Sequence, residues 1–111
     1  MLTRERIDQL FALRAAAKAE DDQVVEEFKR VYHFDPFGPE ARYKDRRWLA
    51  NAWGELREGR PALVAYEAAD KELSATERSE LAVMADCKDF DAPRLDMLLD
   101  CLEARQRRGT H

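Results

Sequence analysis

Six side chains between residues 42 and 48 have the types and spacing that could bind an anionic partner. In chain order, this basic-aromatic segment holds Arg42, Tyr43, Lys44, Arg46, Arg47 and Trp48. Arginine and lysine contact phosphate oxygens, and aromatic rings can stack on unpaired bases. The segment therefore indicates a surface for nucleic acid or, with the same cations, for an acidic protein. A basic turn that only faces solvent is the third interpretation, and a helical wheel favours it because Trp48 falls on the burying face.

The chain is poorly supplied with catalytic groups. It has two histidines, and the second is the final residue, so a histidine-based mechanism would have to use His33. That histidine follows a long helical pattern, as a helix-end residue does. The sequence contains no signature of a serine nucleophile elbow, a zinc-binding His-Glu pair or a phosphate-cradling glycine loop. We therefore predict that the protein is not an enzyme and uses no cofactor.

The two cysteines, Cys87 and Cys101, are the remaining candidate ligands or redox groups. Zinc sites of the finger and ribbon types need paired ligands close together in the sequence, whereas these thiols are fourteen residues apart. We expect both to be reduced, partly buried side chains. The sequence thus predicts neither a metal site nor a disulfide.

Charge is unevenly distributed along a chain whose formal net charge is −4. Residues 61–103 hold eleven acidic and four basic side chains, whereas residues 40–60 hold four acidic and six basic ones. A domain that binds nucleic acid through its overall field would normally be basic, and this chain is not. The acidic 61–103 surface is either solvated or shaped to meet a basic partner.

These observations favour a small non-enzymatic interaction or regulatory protein that binds another macromolecule. In the sharper form of this hypothesis it is an inhibitor that uses the acidic 61–103 surface against a basic protein. The alternative is a nucleic-acid-binding subunit that uses the basic-aromatic segment. The side chains assigned to partner binding are Phe34, Phe37, Arg42, Asp45, Arg46 and Arg47.

Nothing in the sequence predicts a membrane partner. Four charged side chains among the first eight residues interrupt any apolar leader region. The longest uncharged run, Trp48 to Gly54, has seven residues, against about 20 for a membrane-spanning helix. We expect a cytoplasmic protein.

The elements that must position these side chains are all helices. We predict an all-α fold, a compact bundle of five or six helices in a single domain over residues 1–111, with a long N-terminal helix. No β-type alternation and no internal repeat is found in the sequence. The 38% content of charged residues predicts a thin core.

The first helix is predicted to begin after Thr3 as N-cap and to reach about His33. Polar residues interrupt its apolar stripe, so it is either one continuous helix or two helices that meet near Glu20–Asp22. We favour the continuous helix because the phase of the stripe carries through the acidic patch. So long a helix would overhang a small core, which predicts a homodimer. The interface is assigned to Ile7, Leu10, Phe11, Arg14 and Asp21.

Pro36 and Pro39 end this helix and begin the next. Phe34 and Phe37, in the turn, either fill the core or stand exposed as anchors for a partner. Asp45 falls in the middle of the apolar stripe of the following helix. Because an unpaired buried carboxylate is too costly, Asp45 is either an N-cap or a buried partner of an arginine.

The second half of the chain has clearer signals for where helices begin and end. A helix from Pro61 to about Glu72 follows the stop at Gly59. The sequence Ser74-Ala75-Thr76-Glu77 predicts a capping box, and the helix it opens, to about Cys87, is apolar on more than one side, which predicts burial between neighbours. The last helix is predicted to begin at Asp91 or Ala92. It presents one leucine face, made of Leu95, Leu98, Leu99 and Leu102.

Overall fold

The computed structural model describes residues 2–87 and 94–109, and every regular element in that part of the chain is a helix. Five α-helices are described, together with one short 3-10 helix over Pro39–Tyr43. The α-helices are α1 (Arg4–Tyr32), α2 (Arg46–Arg57), α3 (Pro61–Glu72), α4 (Ala75–Ala85) and α5 (Leu95–Arg108). The all-α fold with a long N-terminal helix is therefore confirmed.

Helix α1 is continuous over 29 residues, so a break near Glu20–Asp22 is wrong. Thr3 caps its start, since the Arg6 backbone N–H donates to Thr3 Oγ1 at 3.1 Å. His33 ends it with a left-handed φ of 64°, while its own N–H donates to the Lys29 carbonyl at 2.9 Å. The prediction of His33 as a helix-end residue is thus confirmed.

The chain divides into two compact units, each described here by itself. The terminal unit comprises the described residues within Met1–Arg14 and Tyr66–His111, and the middle unit comprises Ala15–Ala65. The single domain predicted for residues 1–111 stays a prediction.

The core of the terminal unit is built on the predicted leucine face of α5. Leu95, Leu98 and Leu99 are fully buried, and Leu102 is nearly so. The start of α1 packs into the same cluster through Ile7 and Leu10, with Phe11 partly buried against it. The chain's own side chains bury Ile7 and Leu10 and leave Phe11 half-buried, and the homodimer interface assigned to these three residues stays a prediction.

Helix α4 buries one face and not several. Leu81 and Ala85 lie four residues apart and are buried, whereas Val83 is 77% exposed. A residue two positions along an α-helix points about 200° away from its neighbour on the face, so Val83 lies opposite the core. The expectation of burial on more than one side is therefore wrong.

Helix α4 of the terminal unit begins at the predicted capping box and ends close to the predicted residue. Ser74 and Glu77 form the capping box, with both reciprocal bonds present. Helix α4 ends two residues before Cys87, and Asp86 follows it with a left-handed φ of 57°. Helix α5 begins at Leu95, and the start predicted at Asp91 or Ala92 lies outside the described residues.

The middle unit has a small aromatic core. Phe28, Phe34 and Ala52 are buried in it, and the Phe28 ring contacts Phe34 edge-on at 5.2 Å and Tyr32 at 4.6 Å. Phe34 therefore fills the core, and only Phe37 of the predicted anchor pair is exposed, at 74%.

Candidate functional site

The basic-aromatic segment crosses the junction between the 3-10 helix and α2, and all seven residues 42–48 are exposed. The junction exists because Lys44 is extended, with φ −96° and ψ 149°, and Asp45 starts a new helix. Asp45 Oδ1 accepts from the Trp48 N–H at 3.0 Å. The N-cap interpretation of Asp45 is thereby confirmed, and the buried-pair alternative is wrong because Asp45 is exposed.

The cations of this segment differ from the other arginines of α2 and its C-terminal loop, because none of them has a carboxylate partner among residues 2–87 and 94–109. Within the described residues, no ion pair is formed by Arg42, Arg46 or Arg47. In contrast, Arg57 Nε lies 2.7 Å from Asp21 Oδ1, and Arg60 pairs with Glu27. Three positive charges of the segment are therefore available to an external anion.

Lys44 is the fourth cation of the segment and is held by an aromatic ring. Its Nζ lies 5.1 Å from the centroid of the Phe34 ring, a distance at which a cation is attracted to the ring face. Since Phe34 is buried, Lys44 has a defined anchor at the edge of the core.

Two aromatic rings of the segment are exposed in different ways. Tyr43 is 89% exposed, and Trp48 is 42% exposed. The Trp48 ring is fixed from within the unit by Tyr32, edge-on at 5.2 Å, and by Phe34, near-parallel at 6.2 Å. The prediction that Trp48 faces inward is therefore only half right, because one side of the ring packs while a large part stays open to solvent.

Phe37 lies in the preceding turn, and both its backbone and its ring make contacts. Asp35 Oδ1 accepts from the Phe37 N–H at 2.8 Å, and the Phe37 ring meets Trp53 edge-on at 5.1 Å. The Phe37 ring is therefore largely exposed and keeps one contact, with Trp53.

The acidic 61–103 surface is the other predicted site, and many of its carboxylates are engaged inside the terminal unit. Arg14 bonds to both Asp100, at 2.5 Å, and Glu103. Asp70 pairs with Arg78 at 2.7 Å, and the Tyr66 hydroxyl donates to Asp96. Arg14 thus links α1 to α5 by bridging two carboxylates of the same chain, and its assignment to a dimer interface stays a prediction.

The ionisation of this surface reflects those contacts. Hydrogen bonds from Arg107 and Arg14 lower the pKa of the Glu103 carboxyl. Burial and the hydrogen bond to Asp96 raise the pKa of the Tyr66 hydroxyl. Hydrogen bonds from the Ser74 backbone and side chain lower the pKa of Glu77. These groups keep their charge states near neutral pH and serve the fold.

The acidic patch in the middle of α1 has a role that the sequence did not reveal. Glu20 Oε2 accepts from the Ala62 N–H at 2.9 Å, at the start of α3. Asp21 and Glu27 pair with Arg57 and Arg60, on either side of the turn at Gly59. This acidic clamp, Glu20, Asp21 and Glu27, fixes the α2–α3 connection within the middle unit. Asp21 has Arg57 of its own chain as a partner, and its assignment to a dimer interface stays a prediction.

Cys87 and Cys101 are both free and half-buried. Burial and a hydrogen bond to the Cys101 side chain raise the pKa of the Cys87 thiol to about 11, which makes it a poor nucleophile at neutral pH. His33 is exposed. In the part of the chain that the structure describes, no cluster of histidine, cysteine and carboxylate side chains could hold a metal ion.

A cavity of about 590 Å³ lies in the terminal unit between the start of α1 and the ends of α4 and α5. Its described lining holds no histidine, cysteine or serine. The residues are Leu2, Arg4, Ile7, Asp8, Met84, Leu102, Gln106 and Gly109. The charged side chains in this described lining are Arg4 and Asp8.

Comparison with known protein families, with curated proteins and with solved structures finds no match for this chain. Of the helices described, none combines the length and the apolar character that crossing a membrane requires.

Proposed function

We propose that this chain is a non-enzymatic binding protein that uses its basic-aromatic segment to hold an anionic macromolecule. The observation that carries the proposal is the contrast between paired and unpaired arginines in the middle unit. Arg57 and Arg60 are committed to carboxylates of α1, while Arg42, Arg46 and Arg47 are exposed and without an ion pair among the described residues. Cations without an internal partner interact most strongly with an external one.

The acidic 61–103 surface supports the inhibitor hypothesis less well. Asp70, Asp100 and Glu103 each have an arginine partner within the chain. A basic protein would have to displace these arginines, and the loss of their ion pairs would subtract from the free energy of binding. The proposal therefore takes the basic-aromatic segment as the principal surface. A cytoplasmic location and a regulatory role remain part of it.

Retention on heparin, a polyanion of defined chemistry, tests the proposal. A protein with a net charge of −4 and a pI near 5.2 should flow through a heparin column at neutral pH unless its cations are locally concentrated. We expect retention at low salt and elution as salt rises, because exposed charge contacts are screened over about 10 Å at 0.1 M.

The decisive variant is the double charge reversal Arg46→Glu with Arg47→Glu. It should abolish retention without changing the far-ultraviolet circular dichroism. The matched control is Lys18→Glu with Arg30→Glu, which changes the net charge equally at exposed positions of α1 in the same unit. Flow-through of the unmodified protein at low salt, or equal loss in the control, would overturn the proposal.

A further inference from the structure

We infer that the anionic partner is a single-stranded nucleic acid, whose phosphates meet Arg42, Arg46 and Arg47 and whose unpaired bases stack on Tyr43 and Trp48. The inference rests on the proposed function, since it assigns a partner class to the same surface. It adds a role for the aromatic rings, which an ion-attracting surface would not need.

Exposure of the rings points to a ligand with flat faces. Tyr43 is 89% exposed and Trp48 42%, although burying apolar area is worth roughly 25 cal/mol per Å². Unpaired bases have apolar faces that stack on such rings, with about 1–3 kcal/mol lost per base when the ring is removed. In a duplex those faces are already stacked on one another, so only a single strand can use both features.

Trp48 is preorganised for this role. Its ring is held by Tyr32 and Phe34, at 5.2 and 6.2 Å between centroids, so the conformational entropy of ordering the ring is already lost in the free protein. A ring that is already fixed loses less conformational entropy on binding than a mobile ring does. Tyr43, 89% exposed, makes no such ring contact with another described residue and is the adaptable partner.

The net charge of the protein disfavours binding of a duplex more than binding of a single strand. The net charge of −4 repels any polyanion at long range, and more strongly the duplex, which carries one charge per about 1.7 Å of axis. The three arginines acting on a single strand predict a salt dependence with a slope of about −0.7 per phosphate contacted, or roughly −2 in total. This slope is shallow enough for stacking to supply a large part of the affinity.

An acidic protein is the competing class, and the rings distinguish it from a single strand. Carboxylates on a peptide would use the arginines in the same way but would gain little from Tyr43. Loss of that ring should therefore weaken binding to a single strand and leave binding to a polycarboxylate unchanged.

The test measures fluorescence anisotropy of a labelled oligothymidine of about 15 nucleotides, a length that covers the usual site sizes. Competitors are a duplex of the same length and polyglutamate. We expect the single strand to bind more tightly than either, and its binding to quench tryptophan fluorescence. Replacement Tyr43→Ala should weaken the single-strand complex about 5- to 150-fold, while Tyr43→Phe, which keeps the ring, should stay within about threefold of the unmodified protein.

The outcomes separate this inference from the proposed function. Because Tyr43 has almost no packing to lose, Tyr43→Ala should leave both the unfolding midpoint and heparin retention unchanged. Two results would overturn the inference and leave the proposed function standing, provided that the protein is retained on heparin. In the first, polyglutamate or the duplex binds as tightly as the single strand. In the second, Tyr43→Ala has no effect on single-strand binding. If neither heparin nor the oligonucleotide binds, both fail.

Discussion

The sharpest structural prediction concerns two glycines of the middle unit that should respond with opposite signs to the same substitution. Gly54 lies inside α2, and Gly59 lies in the turn after it with φ of +74°. At either position an added Cβ would meet no described atom within 4 Å, the adjacent residues and the helix's own backbone apart. Steric contact is thus removed from the comparison, and backbone conformation alone decides the outcome.

The magnitudes follow from that conformation. Alanine is favoured over glycine inside a helix by up to about 1 kcal/mol, so Gly54→Ala should raise the free energy of unfolding by about 0.5–1 kcal/mol. A left-handed alanine is disfavoured by about 1–2 kcal/mol, partly offset by the lower entropy of its unfolded chain. Gly59→Ala should therefore lower the free energy of unfolding by about 1 kcal/mol.

Urea unfolding followed by tryptophan fluorescence measures both effects, because Trp48 and Trp53 belong to the middle unit. With a slope of about 1–3 kcal/mol per M, the two midpoints should lie roughly 0.5–2 M apart, on opposite sides of the unmodified protein. Asparagine tolerates the left-handed region, so Gly59→Asn should recover part of the loss. Midpoints that shift in the same direction would refute the reasoning.

Three further predictions concern the terminal unit. Ser74→Ala removes the acceptor of the capping box and should lower the free energy of unfolding by about 1 kcal/mol in urea titration; no change would show that the box is dispensable. The raised pKa of Tyr66 favours its neutral form in the folded state, so its contribution is complete below about pH 10, the unfolded value, and is lost as pH rises toward the folded one. Stability of the unmodified protein should accordingly fall more between pH 8 and pH 11 than that of Tyr66→Phe, and equal falls would contradict the assignment. Because the pKa of Cys87 is near 11, its reaction with iodoacetamide at pH 8 should be slower by a factor of about ten or more in the folded protein than in urea. Mass spectrometry locates the modified cysteine, and equal rates would contradict the burial of Cys87.

Local signals in the sequence were sufficient to predict the helices. Three such signals are Gly59, Pro61 and the Ser74–Glu77 capping box. Each acts through hydrogen bonds and dihedral angles within a few residues, so the helix boundary it predicts depends little on the rest of the chain. The continuous α1 was predictable for a similar reason, since the phase of its apolar positions persists through the acidic patch.

The partners of the charged residues were not predictable in this way. Asp21 and Arg57 are 36 residues apart, and Arg14 is 86 residues from Asp100. Which carboxylate meets which arginine depends on how helices pack, and the sequence offers many equivalent pairs. Arg14 and Asp21 were assigned to a dimer interface because polar residues inside an apolar stripe can fix the register of paired helices, and the structure gives each of them a partner in its own chain.

The candidate site was predictable in composition but not in exposure. A wheel of one continuous helix placed Trp48 inside and Asp45 in the apolar stripe. The cap at Asp45 begins α2 there, and the first turn of a helix has fewer neighbours to cover it than the middle does. That local interruption is what leaves the ring of Trp48 open.

The division into two units has a practical consequence for studying how the chain folds. Both tryptophans of the sequence fall in the middle unit and both cysteines in the terminal unit, so each unit carries a natural probe that the other lacks. Fluorescence decay and thiol-labelling pulses recorded during the same unfolding reaction would show whether the units lose structure in one cooperative step or in succession. No engineered label is needed to distinguish these two mechanisms.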